Sequence, residues 1–404
     1  MTATVHGPAV DRVARAALSR VFEPGSDAVQ AAVAEIGDLE VWTRVRAGLS
    51  VPGLSPALVE GARGRAAACD PEQELARAAA CGARLVVPGD TEWPERQLWW
   101  SRDPDRPVDP AAGADPDVLH RDEAPPLALW VRGERGLAET VERSVAVVGA
   151  RAATPYGTHV ATELAFGLAD RGWTVVSGAA YGIDGAAHTG ALSAQRAPTV
   201  AVLACGVDVA YPKGHDRLLG RILEQGLVVS EVPPGAAATR LRFLVRNRLI
   251  AALTVATVVV EAAKRSGSLS TARLAGALHR HVLAVPGPVT SAASIGTHGL
   301  LRTGATCVTC VTDVLEAAGA TGEYAADDRS GPRDPRDELS AAVRRVLDAV
   351  PVRRAAGIAS IAQVAGVSAL VVQQVLPPLL VAGLVERQPD GWRLTTLGAT
   401  GTAR

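Results

Sequence analysis

The segment from residue 236 to residue 282 concentrates cationic side chains beside apolar ones. It has one acid, Glu261, and eight bases: Arg240, Arg242, Arg246, Arg248, Lys264, Arg265, Arg273 and Arg280. Eight bases and one acid give the segment a charge of +7, whereas the whole chain has a formal charge of -1. Phe243 and Asn247 interrupt the arginines, unlike the plain tract of a solvated helix face, which is the alternative. A nucleic-acid backbone is the anion that best matches many arginines at once.

A loop of small residues runs from Ser177 to Asp184, between a β-branched segment and a helical one. Ser177, Gly178 and Gly182 add little bulk, so backbone N–H groups there can approach an anion closely. The N-terminus of the following helix adds partial positive charge. The loop therefore predicts a phosphate site, and the alternative is a tight turn in which Asp184 caps the helix.

Aromatic residues make up only 3% of the chain, yet four lie in or beside these motifs: Tyr156, Tyr181, Tyr211 and Phe243. Bases stack on rings while guanidinium groups follow phosphates, a combination typical of single-strand binding. For some of these rings, and for Phe243 first, the alternative is a place in the core. The motifs favour a site for single-stranded nucleic acid.

The signatures of nucleotide chemistry are missing from the sequence. Residues 149–154 follow the first predicted strand and read GARAAT, whereas dinucleotide-binding folds place G-x-G-x-x-G there. Neither a P-loop nor a G-x-S-x-G elbow occurs. Asp184 and His188 lie four residues apart but have no third ligand, so we expect no metal site. We therefore expect a binding protein that is not an enzyme and needs no cofactor.

Six short β-branched runs alternate with helical segments from residue 144 onwards. This alternation predicts an α/β fold with a doubly wound parallel sheet, whose ligands bind at the carboxyl ends of the strands. The unusual motifs all follow these strands. The predicted strands are Val145–Val148, Thr174–Val176, Val200–Leu203, Leu227–Val229, Val255–Val260 and Val282–Val285.

The composition divides the chain into further parts. Residues 1–82 predict a helical N-terminal module, and residues 83–323 predict the domain that carries the nucleic-acid site. Within that domain, residues 101–122 are rich in proline and aspartate and predict a flexible insertion. Residues 324–336 predict a polar linker, and residues 337–404 have the helix and hairpin pattern of a winged helix.

The third helix of the C-terminal domain, Ser368 to Ala382, contains no lysine or arginine and carries Pro377 and Pro378. It lacks the cations that a recognition helix uses on phosphates. A transcriptional regulator that reads DNA through this helix is therefore disfavoured. We predict that the domain docks a protein, and the alternative is that it only packs against the rest of the chain.

The cysteines and the hydropathy indicate the cellular compartment of the protein. Five scattered cysteines do not predict a disulfide framework, and Cys307 and Cys310 form a C-x-x-C without the second pair of a zinc site. The sequence has no apolar run of the roughly 18 residues that a membrane span needs and no signal-peptide core. We expect a cytoplasmic protein without membrane contact. Of its 41 basic residues only Lys213 and Lys264 are lysines, a skew that is also typical of genomes rich in G and C.

Together these motifs resemble the DNA-processing protein A (DprA/Smf) family, bacterial proteins that bind single-stranded DNA and deliver it to the RecA recombinase. The matching pieces occur in the same order along the chain: Val148 to Arg151, Ser177 to Asp184, His188, Gly190 to Leu192, Tyr211-Pro212, Ser230-Glu231, Phe243 to Arg248, Glu261, Ser266 to Ser268, Thr271-Ala272 and Pro286-Gly287.

The resemblance implies an extended Rossmann-like domain that forms a homodimer and holds DNA in a positive pocket at the strand ends. Tyr181 departs from the family, because many relatives have arginine there, and the exchange replaces a phosphate contact with a stacking one. The DNA-binding candidates that the resemblance implies by position are Arg151, Ser177, Gly178, Tyr181, Gly182, Arg240, Phe243, Arg246, Asn247, Arg248, Lys264, Ser266 and Gly267.

The function that the resemblance implies is to protect incoming single-stranded DNA and to load RecA onto it during DNA uptake (natural transformation) and recombination. The alternative is a nucleotide-processing enzyme of the phosphoribohydrolase type on the same fold. That class is similar in architecture but carries a P-G-G-x-G-T-x-x-E loop, where this chain has Lys264 to Ser268.

Overall fold

The computed structural model describes residues 11–98, 124–320, 322–324 and 339–397. The chain forms two compact units, Met1–Ala326 and Asp327–Arg404. The predicted insertion at residues 101–122 lies outside the described residues. The same holds for the predicted linker, apart from Tyr324.

Five short helices open the first unit, and polar side chains fix where four of them begin. Asp11, Ser26, Ser55 and Asp70 accept hydrogen bonds from N–H groups of the first helical turn, which have no partner within the helix. The helices belong to the same compact unit as the sheet. They are α1 (Arg12–Val21), α2 (Asp27–Ile36), α3 (Asp38–Ala47), α4 (Pro56–Ala66) and α5 (Pro71–Ala80).

A nine-stranded sheet organises the rest of the first unit. Its strands are β1 (Ala83–Val86), β2 (Leu129–Arg132), β3 (Ser144–Val148), β4 (Thr174–Ser177), β5 (Thr199–Leu203), β6 (Leu227–Ser230), β7 (Ala256–Val259), β8 (His281–Ala284) and β9 (Thr306–Cys307). Their order is β1-β2-β6-β5-β4-β3-β7-β8-β9. In this spatial order, all strands from β6 through β3 to β9 are parallel to one another. β2 pairs antiparallel with β6, and β1 pairs antiparallel with β2. The predicted strands correspond to β3 to β8 within one residue at each end, so the prediction of a mixed α/β fold with a large, mostly parallel sheet is confirmed.

Nine more helices follow in the described part of this unit. They are α6 (Glu95–Leu98), α7 (Leu137–Val141), α8 (Pro155–Asp170), α9 (Ile183–Ala194), α10 (Asp216–Gln225), α11 (Arg240–Ala252), α12 (Gly267–Ala277), α13 (Ile295–Arg302) and α14 (Val311–Ala318). Alternate strand residues point to opposite faces of the sheet. Val145 and Val147 therefore pack with α8 and α9, whereas Ala146 and Val148 pack with α11 and α12.

The strand order reverses beside β3. The next strands along the chain, β4 to β6, lie on one side of β3, whereas β7 to β9 lie on the other. In a parallel sheet the loops that follow the two strands at such a reversal diverge and leave a crevice at the carboxyl ends. The loops that follow β3 and β7 border this crevice.

The second unit consists of α15 (Ala341–Ala349), α16 (Ile358–Ala365), α17 (Ala369–Val381) and an antiparallel pair, β10 (Val385–Gln388) and β11 (Gly391–Leu394). Leu376 and Leu379 lie in its core, whereas Leu370 is exposed. Among the described residues no single helix is long and apolar enough to span a membrane, and the bent pair α16 and α17 meets that test by length and composition alone.

Candidate nucleic-acid interface

A cavity of about 550 Å³ opens at the carboxyl ends of β3 and β7. It occupies the crevice that the reversal of strand order creates, and its volume lies in the range of small-ligand sites. The predicted site residues that the structure brings together in its wall are Arg151, Phe243, Arg246, Asn247, Ser266 and Gly267.

Arg151 and Phe243 lie against each other in the wall of this cavity. The guanidinium carbon of Arg151 lies 5.0 Å from the centroid of the Phe243 ring, a cation–π distance. Arg151 is exposed and Phe243 is half-buried, so the sequence-based alternative of a core position for Phe243 is wrong. An exposed guanidinium that lies over a half-buried ring joins a phosphate-binding group to an aromatic one, the combination that sites for single-stranded nucleic acid use.

Arg246 lies at the buried end of the wall and holds the Ser177–Asp184 loop in place. Its guanidinium donates hydrogen bonds to the carbonyl oxygens of Gly178, at 2.8 Å, and Val202. A Cβ at Gly178 would lie 2.6 Å from the same guanidinium, so a larger residue there would displace the Arg246 side chain. Burial lowers the pKa of Arg246 to about 10, while the nearby Asp184 favours its charged form. Arg246 therefore keeps its positive charge at neutral pH.

Asp184 does not cap α9, which begins at Ile183 after Gly182. Its buried carboxylate turns back and accepts hydrogen bonds from the N–H groups of Gly178 (3.2 Å) and Ala180 (3.4 Å). Burial raises the pKa of Asp184, and Arg246 and the N–H groups oppose that shift. Two of the N–H groups that could hold a phosphate are thus satisfied by the protein itself, and the geometry does not support a phosphate cradle in this loop.

Ser177 and Gly182 serve the structure of the same loop. The Ser177 hydroxyl is buried and donates to the carbonyl oxygen of Val147 at 2.7 Å, which joins β4 to β3. Gly182 has a φ of 79°, and a Cβ there would lie 2.3 Å from the carbonyl oxygen of Ala150 and 2.4 Å from that of Arg151. Gly182 therefore lets this loop pack directly on the loop that carries Arg151.

Arg248 is not part of the cavity, contrary to the expectation from the sequence. Arg246 and Arg248 are two residues apart, which places them about 200° apart around α11. The Arg248 side chain is 1% exposed and donates to both carboxylate oxygens of Glu231, at 2.7 and 2.5 Å. Burial raises the pKa of Glu231, and Arg248 opposes that shift. Arg248 thus forms a buried ion pair and is inaccessible to DNA.

Three other predicted site residues lie at the surface outside the cavity wall. Arg240 is exposed as the first residue of α11. Lys264 is exposed next to Ala263, which lines the cavity. Tyr181 is half exposed, and its ring lies edge-on to that of His215. Arg240 and Lys264 add positive charge near the cavity without forming its wall.

Glu261 supports the loop that carries Arg151. Its buried carboxylate accepts hydrogen bonds from the Thr154 N–H (2.9 Å) and hydroxyl (2.6 Å), and its backbone oxygen accepts one from the N–H of Ala150 (2.7 Å). Sequence reasoning missed this role, although a single acid at a strand end among eight bases was a signal for it. The geometry gives Glu261 a structural role.

Folding neutralises part of the +7 segment. Arg242 forms a bidentate ion pair with Glu23, at 2.8 and 2.9 Å, and Arg248 pairs with Glu231. Burial, with the nearby positive charges of His215 and Arg246, lowers the pKa of His188 to about 3. The described part of the chain has no group of three His, Cys, Asp or Glu that could hold a metal ion. Exposed cations at and beside the cavity include Arg151, Arg240, Lys264 and Arg265.

Comparisons with known proteins agree on one family. The model of DNA recombination-mediator protein A matches residues 85–319. A putative DNA processing protein DprA of Mycobacterium tuberculosis is 46% identical over 397 residues, 96% of either chain. Protein Smf of Escherichia coli is 40% identical over 217 residues, 53% of this chain and 57% of that protein. The X-ray structure of DNA processing protein A from Streptococcus pneumoniae matches with a TM-score of 0.59 at 27% identity, over 79% of this chain and all of that one. The chain therefore belongs to the DNA recombination-mediator protein A family.

Proposed function

We propose that the protein binds single-stranded DNA in the cavity between β3 and β7, protects it and passes it to the RecA recombinase during DNA uptake and recombination. The observation that carries the proposal is the pair formed by exposed Arg151 and the Phe243 ring, 5.0 Å apart in the cavity wall. This pair offers a phosphate contact and a stacking surface side by side. Membership of the family supports the same function.

The shape of the site favours a single strand over a duplex. The stacking surface of Phe243 lies within a cavity of about 550 Å³, and a base can reach it only when it is unpaired and unstacked. In a duplex, extrusion of a base costs a few kcal/mol. A ring also stacks on any base, so we expect little sequence preference.

Arg151→Ala is expected to weaken binding to single-stranded DNA by roughly tenfold to a hundredfold, because a hydrogen bond to a charged group contributes about 1.5 to 3 kcal/mol. The log-log slope of affinity against salt should fall by about 0.7, the value for one phosphate contact on a single strand. Fluorescence anisotropy over a salt series measures both quantities.

Arg171→Ala is the matched control for this experiment. Arg171 is also exposed, but it follows α8 just ahead of β4. It therefore lies at the amino ends of the strands, opposite the cavity. We expect its loss to leave affinity and salt slope unchanged. Equal or tighter binding of the unaltered protein to a blunt duplex would contradict the proposed function.

The partner and the assembly are inferred from the family resemblance. We infer that the chain forms a homodimer in the cytoplasm and that RecA binds it directly. Sedimentation of the purified protein tests the dimer, and co-precipitation with purified RecA tests the contact. A monomer at all concentrations, or no retention of RecA, would reject the respective inference.

We also propose that the second unit is a winged helix that docks a protein. The described residues of α17 include no lysine or arginine, and Val364, Leu370 and Val381 are exposed. An uncharged helix with exposed apolar side chains suits contact with a protein better than contact with phosphates.

Removal of residues 337–404 is expected to change the affinity for single-stranded DNA by less than about threefold, or roughly 0.65 kcal/mol. The truncated chain keeps every residue of the cavity wall, and the two units are separately compact. Anisotropy measures the affinity, and circular dichroism checks the folding. A loss of about tenfold or more in a folded truncated protein would assign DNA binding to the second unit as well.

A further inference from the structure

Two pairs of aromatic rings lie at and beyond the cavity, joined by one short turn of the chain. The centroids of Phe243 and Tyr211 lie 5.2 Å apart, and those of Tyr181 and His215 lie 4.8 Å apart. The turn from Tyr211 to His215 joins the two pairs, since a Cβ at Gly214 would lie 2.5 Å from the Tyr181 hydroxyl oxygen. We call Phe243, Tyr211, Tyr181 and His215 the aromatic ledge.

The outer part of the ledge is open to solvent. Tyr181 is 50% exposed and Tyr211 is 43% exposed, in a chain in which only 3% of residues are aromatic. Lys213 is exposed in the turn that runs from Tyr211 to His215. Large rings that stay exposed side by side are typical of a binding surface, and the lysine adds a cation beside them.

The ledge is held in position by the protein. A ring nitrogen of His215, Nδ1, lies 3.0 Å from the carbonyl oxygen of Ala179. The same ring packs so closely on the start of α9 that a Cβ at Gly185 would lie 2.7 Å from its Cε1 atom. Rings that are already ordered lose less conformational entropy when a ligand binds. The ledge is therefore preorganised.

We propose that the aromatic ledge binds the single strand where it leaves the cavity, with bases stacked on Tyr211 and Tyr181 and with Lys213 beside a phosphate. This proposal rests on the proposed function and extends it beyond the cavity wall. Contacts run from Arg151 to Phe243 and on to Tyr211, so a strand whose phosphate meets Arg151 passes next over Tyr211. The ledge makes affinity depend on the length of the strand.

Tyr211→Ala and Tyr181→Ala test the proposal with oligothymidylates of about 4 and about 20 nucleotides, measured by anisotropy. Each substitution should weaken binding of the long oligonucleotide roughly fivefold to a hundredfold, the loss of one stacked base. The short one should lose less, since a short strand held at the cavity covers fewer of the outer rings. The salt slope should stay constant because a ring releases no counterions.

Two kinds of variant control the experiment. Tyr211→Phe and Tyr181→Phe keep the ring and should bind as the unaltered protein does. Phe166→Ala removes a ring on α8 that is 43% exposed and lies outside the ledge, and it should have no effect. Circular dichroism confirms that each variant is folded.

The outcomes separate this proposal from the proposed function. Unchanged binding of the long oligonucleotide by both alanine variants, with a loss for Arg151→Ala, overturns the ledge and leaves the cavity site intact. Unchanged binding by all three rejects the cavity site too. Equal losses for the phenylalanine and alanine variants would show that the hydroxyl, and not the ring, makes the contact. Loss of RecA delivery at unchanged DNA affinity would assign the ledge to a protein and overturn the proposal.

Discussion

Arg246→Met is expected to lower the free energy of unfolding by about 3 to 6 kcal/mol, because it removes two buried hydrogen bonds from a charged group, each of which contributes about 1.5 to 3 kcal/mol. It removes the cation beside the buried carboxylate of Asp184 and the donor to the carbonyl oxygens of Gly178 and Val202. Because the Ser177–Asp184 loop then loses its support, affinity for single-stranded DNA should fall by about tenfold or more. Urea denaturation and anisotropy measure the two effects.

Arg246→Lys is the matched control for the Arg246 substitution. It retains the charge, but an ammonium group lacks the planar fork with which a guanidinium reaches two acceptors. We expect a smaller loss of stability than for Arg246→Met and an unchanged salt slope of DNA binding. A methionine variant that unfolds at the same urea concentration as the unaltered protein would show that Arg246 does not support the loop.

Arg248→Met is expected to lower the free energy of unfolding by a similar amount, about 3 to 5 kcal/mol, with little change in DNA binding. The substitution leaves the Glu231 carboxylate buried without its cation. Since Arg248 is inaccessible, affinity measured where the variant is folded should stay within about threefold. The contrast with Arg246→Met separates two arginines that the sequence places in the same site.

The double variant Arg248→Met, Glu231→Leu controls for the buried charge. Replacement of both members of a buried ion pair by apolar side chains is often neutral, so most of the stability should return. A smaller salt slope for DNA binding by Arg248→Met, comparable to that of Arg151→Ala, would place Arg248 on the DNA and contradict its position in the structure.

The sheet and the location of the site follow from local sequence patterns. Short β-branched runs between helical segments predict the strands from β3 to β8 within one residue, because buried parallel strands need side chains of that kind on both faces. The motifs that follow the strands meet at the carboxyl ends of the parallel strands. Arg151, which is far from Phe243 and Arg246 in the sequence, therefore lines one cavity with them.

The role of each charged side chain depends on partners that local patterns do not reveal. Glu23 lies 219 positions from Arg242, yet the two form an ion pair that joins the N-terminal helices to α11. Arg248 turns away from Arg246 to meet Glu231. A count of charges along the segment includes these arginines as available cations, whereas the fold has already paired them.

The Ser177–Asp184 loop shows a second limit of sequence reasoning. Glycines and a helix N-terminus predict free N–H groups for a phosphate, but the Asp184 carboxylate accepts two of them. Asp184 is four positions after Ala180, so the sequence permits both a loop with free N–H groups and a loop that Asp184 closes. The choice between them depends on Arg246, which lies beside the carboxylate and favours its charged form.

The two lysines give this protein a built-in chemical reporter. Lys213 is exposed in the turn of the aromatic ledge and Lys264 is exposed beside the cavity, and the other 39 of the 41 basic residues are arginines. Acylating reagents that modify amines leave guanidinium groups untouched, so side-chain labelling is confined to these two positions. Peptide mass spectrometry of the labelled protein therefore reads the occupancy of the cavity and of the ledge separately, in the unaltered chain and without a tag.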